Sequence, residues 1–143
     1  MKIIFDYNRT LLNPETDSLY QGTFELLKKL SPKNELYLVS KNEPGRRERL
    51  EELNIAQFFN KINFVDKKTT ALFKELVGDS SEVIVIGDRV KEEISIGNQL
   101  GMITIWVQQG KFASELPTNK QERPRYIVKN IESLSDLIAK YEK

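Results

Sequence analysis

The sequence predicts an α/β protein: a single three-layer, Rossmann-like domain over residues 1–143, with a mainly parallel sheet. Three observations carry this expectation. Short apolar runs alternate with stretches of helical periodicity along the chain. The strongest strand-like run, "VIVI" at 83–86, is apolar at every position, the pattern of a strand covered on both faces. The length, 143 residues, suits one domain with a full core.

Each element follows from local pattern. Residues 2–6 form a strand through Ile3, Ile4 and Phe5. Residues 18–30 read as a helix, with Tyr20, Phe24, Leu27 and Leu30 on one stripe. Residues 35–40 are the second strand. Residues 43–53 are a charged helix with Leu50 and Leu53 facing inward and Pro44 in its first turn. A short strand at 62–65 precedes a helix at 69–77 that stops near Gly78. The strand at 83–86 ends on Gly87-Asp88. A helix at 91–100 then closes on Gly101. Residues 103–107 are a strand with Trp106 in the core, and 109–125 are a loop containing Gly110, Pro117 and Pro124. A last short strand at 126–128 precedes a helix at 133–141 that faces inward through Leu134, Leu137, Ile138 and Tyr141.

Composition narrows the chemistry. Apolar residues make up 39% and charged residues 30%, so a soluble globular protein with a charged surface is expected. The 22 basic and 21 acidic residues nearly cancel, and the net charge of +1 gives no reason to expect nucleic acid or an acidic membrane as partner. Without cysteine there is no disulfide and no thiolate metal site. Without histidine there is no imidazole base, imidazole ligand or Ser-His triad. Catalysis must use carboxylates, hydroxyls, Lys or Arg. No basic segment followed by an apolar run opens the chain and no run would span a bilayer, so the expected location is the cytoplasm.

Ligands of parallel α/β sheets bind at the carboxyl ends of strands, where the strand order reverses. The polar residues there are Asp6, Ser40, Asp66-Lys67 and Asp88. Each has a plain structural reading as a cap or a surface group. Together they carry more. If their strands are neighbours, Asp6 and Asp88 repel unless one is protonated or a cation sits between them. Hard oxygen ligands suit Mg²⁺, which usually binds substrate phosphate as well. A lysine close by would hold the charges together.

In this order Asp6 in "FDYNRTLL", Ser40 in "LVSKN", Lys67 in "DKKTTALF" and Asp88 in "VIGDRVKEEISIGNQLG" resemble the four motifs of the haloacid dehalogenase-like (HAD) hydrolase superfamily, over roughly residues 2 to 107. The resemblance implies a Mg²⁺-dependent phosphatase in which Asp6 attacks a phosphoryl group and the aspartyl-phosphate is then hydrolysed. It implies that Mg²⁺ is held by Asp6, the Asn8 backbone carbonyl and Asp88. Ser40 would bind a phosphate oxygen. Lys67 would steady the nucleophile, preferred over Lys68 by its spacing to Phe73. Glu93 takes the family's acidic position, and Glu92 fits a shorter variant. Thr10, Lys41, Asn42 and Arg9 are candidate substrate contacts, and Arg89 stands with the two glutamates. Tyr7 is expected to wall the pocket.

The first motif departs from the family pattern. The family's usual second Asp protonates the leaving oxygen and then activates water. Asn8 has no titrating proton to do either. Its loss predicts a rate lower by about 10² to 10⁴, or a non-catalytic member that binds phosphate or a partner. The chain has no room for a cap domain, which implies selectivity from residues 41–46 and 108–124. The phosphorylated substrate could then be small or macromolecular, and a homo-oligomer could cover the site. A receiver domain would carry its phosphorylated Asp on a middle strand, with its acids adjacent, and the order here differs.

Overall fold

The computed structural model describes residues 1–142. The first strand, β1 (Lys2–Phe5), is buried on both faces. Two very short antiparallel strands, β2 (Leu12–Asn13) and β3 (Ser18–Leu19), form a hairpin ahead of helix α1 (Thr23–Leu30). Here the helix expected from residue 18 is corrected. The Asn13 side chain accepts from the Glu15 amide, Asp17 turns the chain at φ 51°, and Gly22 at φ 87° marks where helix begins. Such turn chemistry outweighs the apolar stripe of Tyr20 and Phe24.

Next come β4 (Glu35–Lys41), α2 (Arg46–Glu52), β5 (Lys61–Val65) and α3 (Thr70–Val77). Helix α2 starts later than expected because Gly45 takes φ 83°, which leaves Pro44 before it. Thr69 caps α3, its hydroxyl accepting from the Leu72 amide at 3.2 Å. Strand β6 (Val83–Gly87) leads into a π-helical turn over Val90–Ile94 and then α4 (Ser95–Gln99). β7 (Ile103–Val107), β8 (Tyr126–Val128) and α5 (Leu134–Ala139) complete the chain.

The six main strands form one sheet in the order β5-β4-β1-β6-β7-β8, and all five pairings are parallel. From β1 the chain builds outward on one side through β4 and β5. It then returns to the other side of β1 with β6. The strand order therefore reverses between β1 and β6, which open a crevice at their carboxyl ends. One apolar layer contains Ile3, Phe5, Leu27, Leu38, Ile86 and Leu134. The other contains Ile4, Val39, Phe73, Val85 and Ile96. Gly97 lets α4 lie close against the sheet: a Cβ there would come within 2.7 Å of the Thr104 methyl carbon. Among the described residues, no helix is long and apolar enough to cross a membrane.

Candidate active site

β1 and β6 run in register, Phe5 opposite Ile86, and the Asp6 amide donates to the Ile86 carbonyl at 3.0 Å. Sheet hydrogen bonding thus places Asp6 and Asp88 side by side, although they are far apart in sequence. With Glu93 they form a buried cluster whose carboxylate oxygens lie within 4.8 Å of one another.

The lysine in this cluster is Lys68. Its Nζ donates to Asp6 Oδ1 at 2.6 Å and to Glu93 Oε1 at 2.8 Å, and its side chain is 4% exposed. The expectation for Lys67 is corrected. That residue is exposed and does not line the acidic cleft; it lines an adjoining one with Asp66 and Lys91. The cap at Thr69 fixes where α3 begins and turns the preceding residue, Lys68, into the crevice. Of the two glutamates, Glu93 is the buried one. Its Oε2 accepts from the Arg89 amide at 2.8 Å, whereas Glu92 lies at the mouth, paired with Arg89 and Lys41. Gly87 leaves the space that the Glu93 carboxylate occupies, and any Cβ there would collide with it.

The charges are unevenly compensated. Burial alone would raise the Asp6 carboxyl, but the Lys68 ammonium, and then the neighbouring Asp88 carboxyl and hydrogen bonds from Lys68 and Thr10, outweigh it and hold Asp6 below its ordinary value. Lys68 is itself shifted up: burial opposes its charge, and Asp6 and Glu93 prevail. Asp88 lacks such support. Burial, and then repulsion from Asp6 and Glu93, push it up to about 9, and Arg9 relieves this only in part. Arg9 Nε donates to Asp88 Oδ2 at 2.9 Å, while Oδ1 is buried without a partner among the described residues. An orphaned carboxylate oxygen between two further acids fits a hard divalent cation. The Asn8 carbonyl also has no backbone partner among the described residues: in the bridge from Asn8 to Leu12, the neighbouring Tyr7 carbonyl and Arg9 amide make the hydrogen bonds. Asp6, Asp88 and Asn8 therefore suit Mg²⁺ with waters completing its shell.

The remaining candidates divide. Thr10 is buried, and its hydroxyl donates to Asp6 Oδ2 at 3.1 Å, so it positions the nucleophile candidate rather than lining the cleft. Ser40 is also buried. Arg46 Nη1 donates to its hydroxyl at 2.8 Å and stands between it and the cleft. Asn42 is exposed, its amide bonded to the Val65 carbonyl, and it does not line the cleft. Lys41, Arg9 and Arg89 do line it. Tyr7 is buried beneath the Arg46 guanidinium, 5.5 Å from its ring centre. Trp106 is core, and its indole N–H donates to the Asp88 carbonyl at 2.9 Å.

Four residues of the cleft were not singled out from sequence: Glu43, Arg46, Lys111 and Phe112. The Phe112 ring stacks under two guanidinium groups, Arg89 at 3.7 Å and Arg9 at 4.6 Å from its centre. Gln109 ties this loop to the first motif by donating to the Arg9 and Thr10 carbonyls, each at 3.2 Å. All four fall within segments expected to set selectivity, but no local pattern marks which side chains turn inward.

Comparison with known proteins finds relatives of the same fold. The HAD-hydrolase-like family model matches residues 67–134. The matched segment, just under half of the chain, resembles the haloacid dehalogenase-like hydrolases. It is 27% identical over 105 residues to a glyceraldehyde 3-phosphate phosphatase of Methanopyrus kandleri, covering 67% of this chain and 45% of that protein. Its fold superposes on a haloacid dehalogenase-like hydrolase of Burkholderia xenovorans with a TM-score of 0.79 at 10% identity, covering 98% of this chain and 97% of that one. The magnesium-bound HAD-hydrolase YfnB of Bacillus subtilis gives 0.70 at 23% identity, covering 84% of this chain and 56% of the other. The chain thus spans about half the length of the Methanopyrus and Bacillus proteins.

Proposed function

We propose that this protein is a capless, Mg²⁺-dependent phosphatase that works through an aspartyl-phosphate at Asp6 and turns over slowly because Asn8 replaces an acid. The observation that carries the reading is the uneven charge of the buried cluster. Asp6 is kept ionised by Lys68, beside an Asp88 oxygen with no partner among the described residues.

Asp6, Asp88 and the Asn8 carbonyl would hold Mg²⁺, which when bound supplies positive charge against the transferring phosphoryl group. The chain's own groups do the rest. Thr10 and Lys68 fix the two Asp6 oxygens from opposite sides. An Asp6 oxygen attacks phosphorus as the ester oxygen leaves with the bonding electrons and takes a proton from solvent. Water then attacks the aspartyl-phosphate, releasing inorganic phosphate and restoring the Asp6 carboxylate. Lys68 balances negative charge in both steps. Asn8 lines the cleft and can donate a hydrogen bond to the leaving oxygen but cannot transfer a proton. Esters with good leaving groups, which need little protonation, are the favoured substrates.

Hydrolysis of para-nitrophenyl phosphate tests this, with and without Mg²⁺. The wild type should show low, Mg²⁺-dependent activity. Asn8→Asp should gain, by up to about 10² to 10⁴, and Asp6→Asn should have none. Equal rates in Asp6→Asn and wild type would overturn the nucleophile. If neither wild type nor Asn8→Asp turns over while Mg²⁺ binds, the site is a phosphate-binding module, the reading that Asn8 itself favours as second.

A further inference from the structure

The cations at the mouth exceed what one phosphoryl group needs. Arg9, Lys41, Arg46, Lys68, Arg89 and Lys111 line the reaction cleft, of about 230 Å³, against four acids. Most are already engaged. Lys68 bridges Asp6 and Glu93. Arg89 is clamped between Glu92 and Glu115, Lys41 lies 3.4 Å from Glu92, and Arg46 pairs with Glu43. Two are not. Arg9 engages Asp88 through Nε alone, which leaves its terminal nitrogens without a partner among the described residues. The Lys111 ammonium has no acid in ion-pair range among them and lies 5.4 Å from the Phe112 ring centre.

These two residues share a second property: they also line a neighbouring cleft of about 300 Å³, formed with Asn13, Pro14, Tyr20 and Gly110. They therefore stand where the two clefts meet. Glu15 is the acid of the second cleft and disfavours an anion deeper within it. The Arg9 guanidinium is held by Asp88 on its Nε side and lies 4.6 Å from the Phe112 ring centre, which restricts where its outer N–H groups can point.

We infer that the junction of the two clefts is an anion subsite, in which Arg9 and Lys111 bind a second negative group, a carboxylate or a second phosphate, on the leaving part of the substrate. This deepens the phosphatase reading of the same site and rests on it. The substrate class is then a phosphomonoester of a short acidic alcohol or a bisphosphate, extended from Asp6 past Lys111 toward Tyr20. A neutral leaving group would leave both cations unused.

Binding of non-hydrolysable phosphonates tests the subsite without relying on turnover. Calorimetry in Mg²⁺ would compare propylphosphonate, 3-phosphonopropionate and propane-1,3-diphosphonate. At least one of the two ligands with a second anionic group should bind about tenfold or more tighter than propylphosphonate, the scale of one charge-assisted hydrogen bond. Which of the two gains more identifies carboxylate or phosphate as the preferred group. In Lys111→Met the advantage should fall below about twofold, and Lys111→Arg should restore it. Equal affinities in the wild type, or an advantage that survives Lys111→Met, overturn the subsite. If propylphosphonate still competes with para-nitrophenyl phosphate in that case, the phosphatase reading stands without it. If no phosphonate binds and no ester is hydrolysed, both fall.

Discussion

Two adjacent lysines with identical chemistry have opposite surroundings. Lys68 is buried between two carboxylates and Lys67 is exposed. Removing one partner of a buried charge cluster leaves the others uncompensated, which costs about 3–5 kcal/mol. Lys68→Met is expected to lose that much in urea unfolding of the metal-free protein, and Lys67→Met to stay within about 0.5 kcal/mol. Asp88 behaves in the reverse sense, because without a cation it is one acid too many. Asp88→Asn should be neutral or stabilising in the metal-free protein, and should abolish any Mg²⁺ effect on stability. That pair of outcomes, read from melting curves with and without chelator, separates a metal ligand from a merely structural acid.

Among the elements, Gly87 and Gly97 act through closeness. Gly87 makes room for the Glu93 carboxylate at the end of β6, and Gly97 brings α4 onto Thr104 and Val85. Gly97→Ala is expected to cost about 1–3 kcal/mol by overpacking, with the site intact. Gly87→Ala should instead displace Glu93 and weaken Mg²⁺ binding by calorimetry beyond what its loss of stability explains. The central strands were legible because an unbroken apolar run ending on Asp6 or Asp88 leaves few alternatives for burial. The β2-β3 hairpin was not. Its strands are two residues each, and its signal lies in Asn13, Pro14 and Asp17 rather than in periodicity. Lys67 and Lys68 could not be separated by spacing to Phe73, since only the capping bond at Thr69 fixes where the helix starts. Ser40 was legible as lying at the carboxyl end of β4, one residue before its last, but its cover by Arg46 depends on how α2 enters after Gly45.

For the molecule as a whole, a ligand that binds only the folded state adds stability by mass action. Mg²⁺ at a hundred times its dissociation constant should add about 2.7 kcal/mol. The shift should vanish with chelator. Ca²⁺, larger and of looser geometry, should stabilise without supporting turnover.

The Asp6 amide bonded to Ile86 has a consequence for how the molecule comes apart. The two acids hang from adjoining central strands, so nothing short of tearing that ladder can separate them. The Lys111 and Phe112 turn is fastened to the first motif chiefly by Gln109, with Arg stacking on its ring. Amide hydrogen exchange should therefore divide the acidic cluster and the mouth loop into two populations. Asp6 and its β1 and β6 neighbours should exchange only with global unfolding. Residues 110–115 should exchange by frequent local opening, which lets the mouth change its preference while the reacting core stays rigid.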